Sequence, residues 1–437
     1  MKTILYPEKQ TWKEILARPV FDTQKLETTV SAILEDVEKF GDSAVRRYTK
    51  QFDKVSLDDF LVSDAEFAEA EKRVSGELKN AIKTAKANIE KFHAAQTEKP
   101  NIIETTKGVF CWRKSVPIEK VGLYVPAGTA PLFSTVLMLA IPARIAGCRE
   151  IVLCSPSGEN GRINDATLYA AKLCGATRVF KIGGAQAIGA LGFGTETVPK
   201  VYKIFGPGNQ FVTEAKQQIT KFGVGIDMPA GPSEVAVFAD ETCVPAFVAA
   251  DLLSQAEHGA DSQVLLVTTS EKVIDETNIE LEKQLAVLPR REIAEKALAN
   301  SKAILVEHAE TAVELLNEYA AEHLILAVEN ADEIAEKIIN AGSVFIGNYS
   351  CESAGDYASG TNHTLPTNGF ARVFSGVSLD SFVKKITFQK LTEDGIRNLG
   401  RTLECLAEAE NLQAHKNAIS VRLERINRDK QDLQDKN

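Results

Sequence analysis

The side chains in this sequence that could do chemistry fall in four separate stretches. Gln255 and His258 are three residues apart in Asp251-Leu-Leu-Ser-Gln-Ala-Glu-His-Gly259, which reads as the last turns of a helix opened by Pro245 and stopped by Gly259. That spacing puts both on one helix face, where an amide oxygen and an imidazole could hold a metal or a polar substrate. A histidine at a helix end equally serves to cap carbonyls and complement the dipole. Glu322 and His323 adjoin each other just ahead of an apolar run. A neutral imidazole there can accept protons near pH 7 while the carboxylate activates water; a helix C-cap before a buried strand accounts for the same two residues. Asp356 and His363 fall in the glycine-rich stretch 352–363, and Glu410 and His415 lie near the C-terminus. Zinc takes three or four N, O or S ligands, and Gln255, His258, Asp356 and either His415 or His363 could supply such a set from different elements.

Other motifs are weaker. Gly206-Pro-Gly-Asn209, after one strand-like run and before a helical one, resembles a turn that presents backbone N–H groups to a phosphate. Phe211 stands where a dinucleotide fingerprint has its third glycine, and no acidic ribose partner follows. Cys351 and Cys243 invite a thiol-nucleophile reading, but neither sits at a clear helix N-terminus beside a basic residue. The seven cysteines form no Cys-x-x-Cys, which argues against a disulfide framework or a four-cysteine zinc site.

The elements that must carry these residues read as α/β. Residues 1–25 form a short arm without periodicity, and helical patterns follow over 26–50 and 64–96. From 119 onward, apolar runs at 121–125, 151–154, 178–182 and 201–205 alternate with helical patterns near 134–146, 163–174 and 210–220, the signature of a parallel sheet with crossover helices. A second series has strands at 234–238, 264–267, 304–306, 324–328 and 344–346. The expectation is two Rossmann-like parallel-sheet domains with an N-terminal arm and a helical C-terminal piece. In detail, 120–235 forms the cofactor-side domain, 26–119 joins 236–380 in a discontinuous α/β domain, and 381–437 is helical. The polar loop expected from 347 to about 376 is long enough to suggest function.

At 437 residues the chain calls for more than one core. A net charge of -10 without a basic face excludes a nucleic-acid partner. No apolar run approaches the roughly 20 residues of a bilayer span, and the first residues lack the apolar core of a signal peptide; a cytoplasmic location is expected.

Taken in order, several stretches resemble one family across nearly the whole chain. They are Val121-Gly-Leu-Tyr-Val-Pro126, Gly183-Gly-Ala-Gln-Ala187, Phe205-Gly-Pro-Gly-Asn209, Asp227-Met-Pro-Ala-Gly-Pro-Ser-Glu234, Ser254-Gln-Ala-Glu-His-Gly259, Glu322-His-Leu324 and Glu352-Ser-Ala-Gly-Asp-Tyr357. The family is L-histidinol dehydrogenase, which completes histidine biosynthesis. The resemblance implies a homodimer with one zinc ion per subunit that oxidises an amino alcohol to an amino acid by two hydride transfers to NAD+. It implies Gln255, His258, Asp356 and His415 as metal ligands and Glu322 and His323 as acid–base residues. Ser233, His323, Asp356 and Glu410 would contact substrate beside the ligands, and Tyr124, Gln186 and Asn209 would contact NAD+. Glu410 and His415 would reach across the interface. The sequence departs from the family in two places: Ala127 replaces a usual glycine, and Cys351 a usual proline. A zinc hydrolase, with Glu322 activating metal-bound water, and a metal-stapled dimer scaffold are the alternatives from other classes.

Overall fold

The computed structural model describes residues 1–18, 23–127 and 131–434. The strand β1 (Lys2–Leu5) opens the chain. β2 (Ile103–Thr106) and β3 (Val109–Pro117) follow four α-helices among the described residues. β4 (Lys120–Tyr124), β5 (Glu150–Ser155), β6 (Arg178–Lys181), β7 (Lys203–Phe205) and β8 (Gly225–Ile226) make one series. β9 (Glu234–Ala239), β10 (Gln263–Thr268), β11 (Lys302–Leu305), β12 (His323–Ala327) and β13 (Ser343–Ile346) make a second, and β14 (Val383–Leu391) comes last. Every strand expected from an apolar run is present. The chain divides into two compact units, Met1–Gln96 with Ile118–Phe382, and Thr97–Pro117 with Val383 onward.

The first unit holds two parallel sheets, ordered β6-β5-β4-β7-β8 and β1-β11-β10-β9-β12-β13. Their central strands are buried on both faces, which is why they read as continuous apolar runs. The arm is not featureless, because β1 pairs in parallel with β11, Ile4 opposite Ile304. Four residues are too few to show a period, and only the neighbouring strand makes them one.

The early helices overturn the expected domain grouping. Thr23–Phe52, Asp64–Arg73 and Gly76–Ala94 pack on the first sheet, not the second. Val30, Ile33, Leu34 and Val37 share a core with Tyr124, Ile188 and Leu191, and Ile82 and Ile89 share another with Leu137 and Ile141. An amphipathic stripe shows that a helix buries one face and is silent about which sheet receives it. Residues 26–96 therefore belong with 120–235, and the proposed pairing of 26–119 with 236–380 does not hold.

In the second unit β14, β3 and β2 form an antiparallel sheet, with Phe388 stacked on its cross-strand partner Trp112 at 5.5 Å. The helices Glu393–Ala409 and Gln413–Gln434 pack together in the same unit, Gly400 letting Leu423 approach. The segment 381–437 is thus not helical throughout. Val383–Leu391 becomes a strand because its ladder partner lies more than 260 residues earlier in sequence, beyond the reach of any local pattern. Among the described residues no helix is long and apolar enough to cross a membrane.

Candidate active site

A cavity of about 900 Å³ opens in the first unit, and all of its lining belongs to that unit. One wall is the carboxyl-terminal edge of the first sheet, where Pro126 follows β4 and residues 207–210 follow β7. The facing wall is the amino-terminal edge of the second sheet, with Ser233 and Glu234 at β9, Gln263 at β10 and Glu322 and His323 at β12.

On the second wall the sequence-derived residues converge. The helix Pro245–Ala256 is opened by its proline as expected and ends two residues before His258, which sits in the following turn. Gln255, in the last helical turn, is buried; its Nε2 lies 2.9 Å from His323 Nδ1, and its Oε1 is buried without a donor. The Glu234 carbonyl oxygen lies 3.2 Å from the same His323 nitrogen. His323 Nε2 faces Asp356 Oδ1 at 3.3 Å, and Glu322 Oε2 is 3.6 Å from Nδ1. Glu322 is held in turn by the Glu234 backbone N–H, which donates to Oε2 at 2.9 Å. His258 is open to the cavity, and desolvation by the surrounding protein lowers its pKa, favouring the neutral imidazole a metal binds. His363 is committed elsewhere: Nδ1 donates to the Asp356 carbonyl at 2.9 Å, and Nε2 lies 3.0 Å from the Thr135 hydroxyl.

One participant went unread in the sequence. Glu352 opens the short helix Glu352–Tyr357, is 1% exposed, and has an Oε2 with no partner. Glu352, Asp356 and His323 place ligand atoms within 4.8 Å of one another. The signal was available, since Glu352 and Asp356 are four apart and so share a helix face. Burial pushes Glu352 up to about 8, and does the same to Glu322 against the opposing pull of His323. Burial alone would lower His323, but Glu322, Glu352 and Asp356 outweigh it and drive the imidazole to about 10. Burial raises Asp356, and the His323 ring outweighs that and holds the carboxylate below its ordinary value. Two buried carboxyl groups and the half-buried Asp356 around one imidazole make a pocket that favours added positive charge. The orphaned oxygens of Gln255 and Asp356, beside His258, are a donor set that fits zinc.

On the first wall Asn209 caps the helix Gln210–Ile219, its Oδ1 accepting from Phe211 and Val212 N–H at 3.0 and 3.1 Å. Gly206 starts this turn at φ +124, and a Cβ there would collide with the Tyr124 carbonyl, so only glycine fits. Tyr124 and Gln186 are not in the cavity lining. Both are buried at the Gly183-Gly184 turn, where the Tyr124 hydroxyl accepts from Gly184 N–H at 3.1 Å and both polar atoms of Gln186 lack partners. Ala127 is described with no regular structure. Glu410 and His415 lie in the second unit, Glu410 at the end of the helix Glu393–Ala409 and His415 in the first turn of Gln413–Gln434, both exposed. The seven cysteines are free, and burial pushes the Cys243 thiol up to about 11, against any thiolate role.

The histidinol dehydrogenase family model matches residues 16–423. The chain belongs to the histidinol dehydrogenase family. A histidinol dehydrogenase of Bacteroides fragilis is 59% identical over 426 residues, covering 98% of this chain and 100% of the relative. One from Mannheimia succiniciproducens is 53% identical, covering 98% and 100%. The crystal structure of histidinol dehydrogenase from Elizabethkingia anophelis superposes with a TM-score of 0.95 at 58% identity, covering 98% of this chain and 99% of that one. Membership makes the protein an oxidoreductase, and the Glu322–His323 pair facing Asp356 is the part of this family member's cavity suited to moving protons.

Proposed function

We propose that the protein oxidises L-histidinol to L-histidine through histidinaldehyde, reducing two NAD+ and holding one Zn2+ per subunit. The observation that carries this reading is the pair of buried, donor-less oxygens, Gln255 Oε1 and Asp356 Oδ1, next to His258 and to the proton-transfer pair Glu322–His323. Gln255, His258 and Asp356 would hold the metal together with His415, which we assign to the partner subunit of a homodimer along with Glu410. Zinc would serve to hold and orient the imidazole and amine nitrogens of the substrate. NAD+ would supply the hydride acceptor, and we assign its binding to Asn209 and its turn on the first wall and to Tyr124 and Gln186, which are buried at the Gly183-Gly184 turn outside the cavity lining. Ser233, lining the cavity on the second wall, adds a hydroxyl for substrate.

The added charge of Zn2+ beside the pocket would lower the raised pKa values of Glu322 and His323, and the neutral His323 ring, its Nδ1–H donating to the Glu234 carbonyl, would take the alcohol proton as hydride departs. Glu322, ionised by the same added charge, would deprotonate the water that adds to the aldehyde, and His323 would then remove a proton from the hydrate before the second oxidation. The intermediate must be retained between steps, and the burial of Glu322 and His323 keeps that chemistry away from bulk water. The test is NADH formation from L-histidinol before and after chelation: two NADH per histidine, lost with zinc and restored on re-addition. Turnover without NAD+ would point to the zinc hydrolase instead.

A further inference from the structure

A buried ion pair outside the proposed proton and metal chemistry stands behind the first wall of the cavity. Lys216, on the helix Gln210–Ile219, and Asp227, just past β8, meet at 2.5 Å with side chains 2% and 1% exposed. Between them they grip a single residue. Lys216 Nζ donates to the Gly206 carbonyl at 2.7 Å, and Asp227 Oδ2 accepts from the Gly206 N–H at 2.8 Å. Asp227 Oδ1 also accepts from the Met228 N–H at 2.7 Å. One turn earlier on the same helix, the Thr213 hydroxyl donates to the Ala230 carbonyl. The helix is thereby tied at once to the turn that begins at Gly206 and to the segment 227–230, and both run on into the cavity lining.

The neighbours of Lys216 on this helix, Val212, Ala215 and Ile219, are fully buried apolar residues. A buried ion pair in such a place adds little stability over a packed apolar pair, and what it supplies is direction. We propose that Lys216 and Asp227 are positioning residues for the dinucleotide: they fix the N–H and the C=O of Gly206, and with them the peptide units on either side of it, and so hold the Gly206–Asn209 turn in the shape that receives NAD+. The inference rests on the reading of that turn as the seat of NAD+.

The test is steady-state kinetics of the zinc-loaded enzyme with each substrate varied in turn. Lys216→Met alone would strand a buried carboxylate and could abolish folding, so the decisive variant is Lys216→Met/Asp227→Asn, which removes both charges. Its KM for NAD+ should rise tenfold or more, with zinc content unchanged, KM for L-histidinol within twofold and kcat at saturating NAD+ within threefold. Asp227→Asn keeps an acceptor for the backbone and removes only the ion pair; it should show the same split at about threefold. A KM for NAD+ within twofold of the parent in whichever of these variants folds, or a loss shared equally by both substrates, overturns the positioning role. Asn209→Ala separates the two levels of the argument. If it leaves the KM for NAD+ unchanged, the turn is not the seat and both readings fall. If it raises that KM while the Lys216 and Asp227 variants do not, only the positioning role falls.

Discussion

Removing Arg18 should cost up to about 4 kcal/mol at pH 7.5, and the cost should fade as the pH drops. Arg18 lies in the arm and lines the cavity; its Nη2 donates to Glu234 Oε2 at 2.8 Å and to the Tyr319 carbonyl at 2.8 Å, and its guanidinium lies 4.1 Å over the Tyr319 ring. Glu234 is buried, with a side chain 3% exposed, and burial already pushes its pKa above the ordinary 4.5 despite the guanidinium. In Arg18→Met, among the described residues, the Asn368 N–H is the donor left to that carboxylate. An uncompensated buried charge costs about 3–5 kcal/mol, and protonation sets the upper limit. Each pH unit above 4.5 makes that protonation about 1.4 kcal/mol more expensive, which gives the ceiling of about 4 kcal/mol at pH 7.5 and about 1.4 kcal/mol at pH 5.5. The sign follows from linkage: a carboxyl whose folded pKa is raised contributes stability that is present below 4.5 and lost as pH rises through the folded value. The same residue's backbone holds both Glu322 and His323, so kcat should drop at least tenfold. Urea unfolding across pH 5.5–7.5 is the assay. A cost below about 1 kcal/mol at pH 7.5, or one that does not change with pH, would refute the reasoning. So would a double variant Arg18→Met/Glu234→Gln no more stable than the single one.

Four further outcomes are expected. Glu322→Gln keeps its hydrogen-bonding shape but cannot take a proton; in single turnover it should slow oxidation of supplied histidinaldehyde far more than the first hydride transfer, while His323→Asn impairs both, and equal slowing in Glu322→Gln would remove the division of labour. His415→Ala should lower zinc content and activity together, and exchange with subunits carrying His258→Ala should recover part of the activity through one intact site per hybrid dimer; no recovery after verified exchange counts against a shared site. Cys243→Ser and Cys351→Ser should each keep most activity, whereas a loss beyond about a hundredfold, roughly 2.7 kcal/mol, with fold and zinc intact would revive a thiol route. Burial pushes Asp53 up to about 6, and its Oδ2 is buried without a partner; Asp53→Asn should raise thermal stability by about 1 kcal/mol, after discounting for solvent screening, above pH 6 and by nothing near pH 4, and a gain that is flat with pH would contradict that cause.

What was legible in the sequence follows the range of the interactions. The nine apolar runs became strands because a strand buried on both faces must be apolar throughout, a local requirement. Helix Gly184–Phe193 was hidden because it is small and apolar almost all round and so shows no amphipathic period, while in the structure Gly189 and Gly192 let Leu34, Val37 and Ile219 approach closely. β14 and the seat of the early helices depend on partners distant in the chain, and no periodicity reports those. In the active site, Gln255, His258, His323 and Asp356 stood out by residue type and spacing. Glu352, Arg18 and Lys216 did not, because a charged residue in a helical or arm segment reads as surface until the fold buries it. Tyr124 and Gln186 were reached only through family resemblance, and their burial at the Gly183-Gly184 turn explains why composition and spacing never singled them out.

The way the two sheets face each other accounts for where each kind of chemistry sits. In α/β folds, ligands ordinarily gather at the carboxyl ends of the strands, where helix N-termini point. The first sheet obeys this: the helix after β7 begins at Asn209 with its N–H groups toward the cavity, a wall that carries partial positive charge and suits an anionic dinucleotide. The second sheet presents its amino-terminal edge, and the helices that lead into β10 and β12 arrive there with their carboxyl ends. Gln255 is in the last turn of one and Glu318 in the last turn of the other. At the Gln255 end the helix dipole adds roughly half a negative charge, on top of the buried Glu322 and Glu352 and the half-buried Asp356, whereas at the other end the Glu318 and Tyr319 carbonyls accept from Arg372 and Arg18. The part of that wall around Gln255 therefore favours a cation, and a site on the carboxyl-terminal edge would oppose one. The metal and proton-accepting imidazole we propose stand opposite the proposed phosphate-binding turn because two parallel sheets present edges of opposite polarity to one cavity, which one doubly wound sheet does not provide.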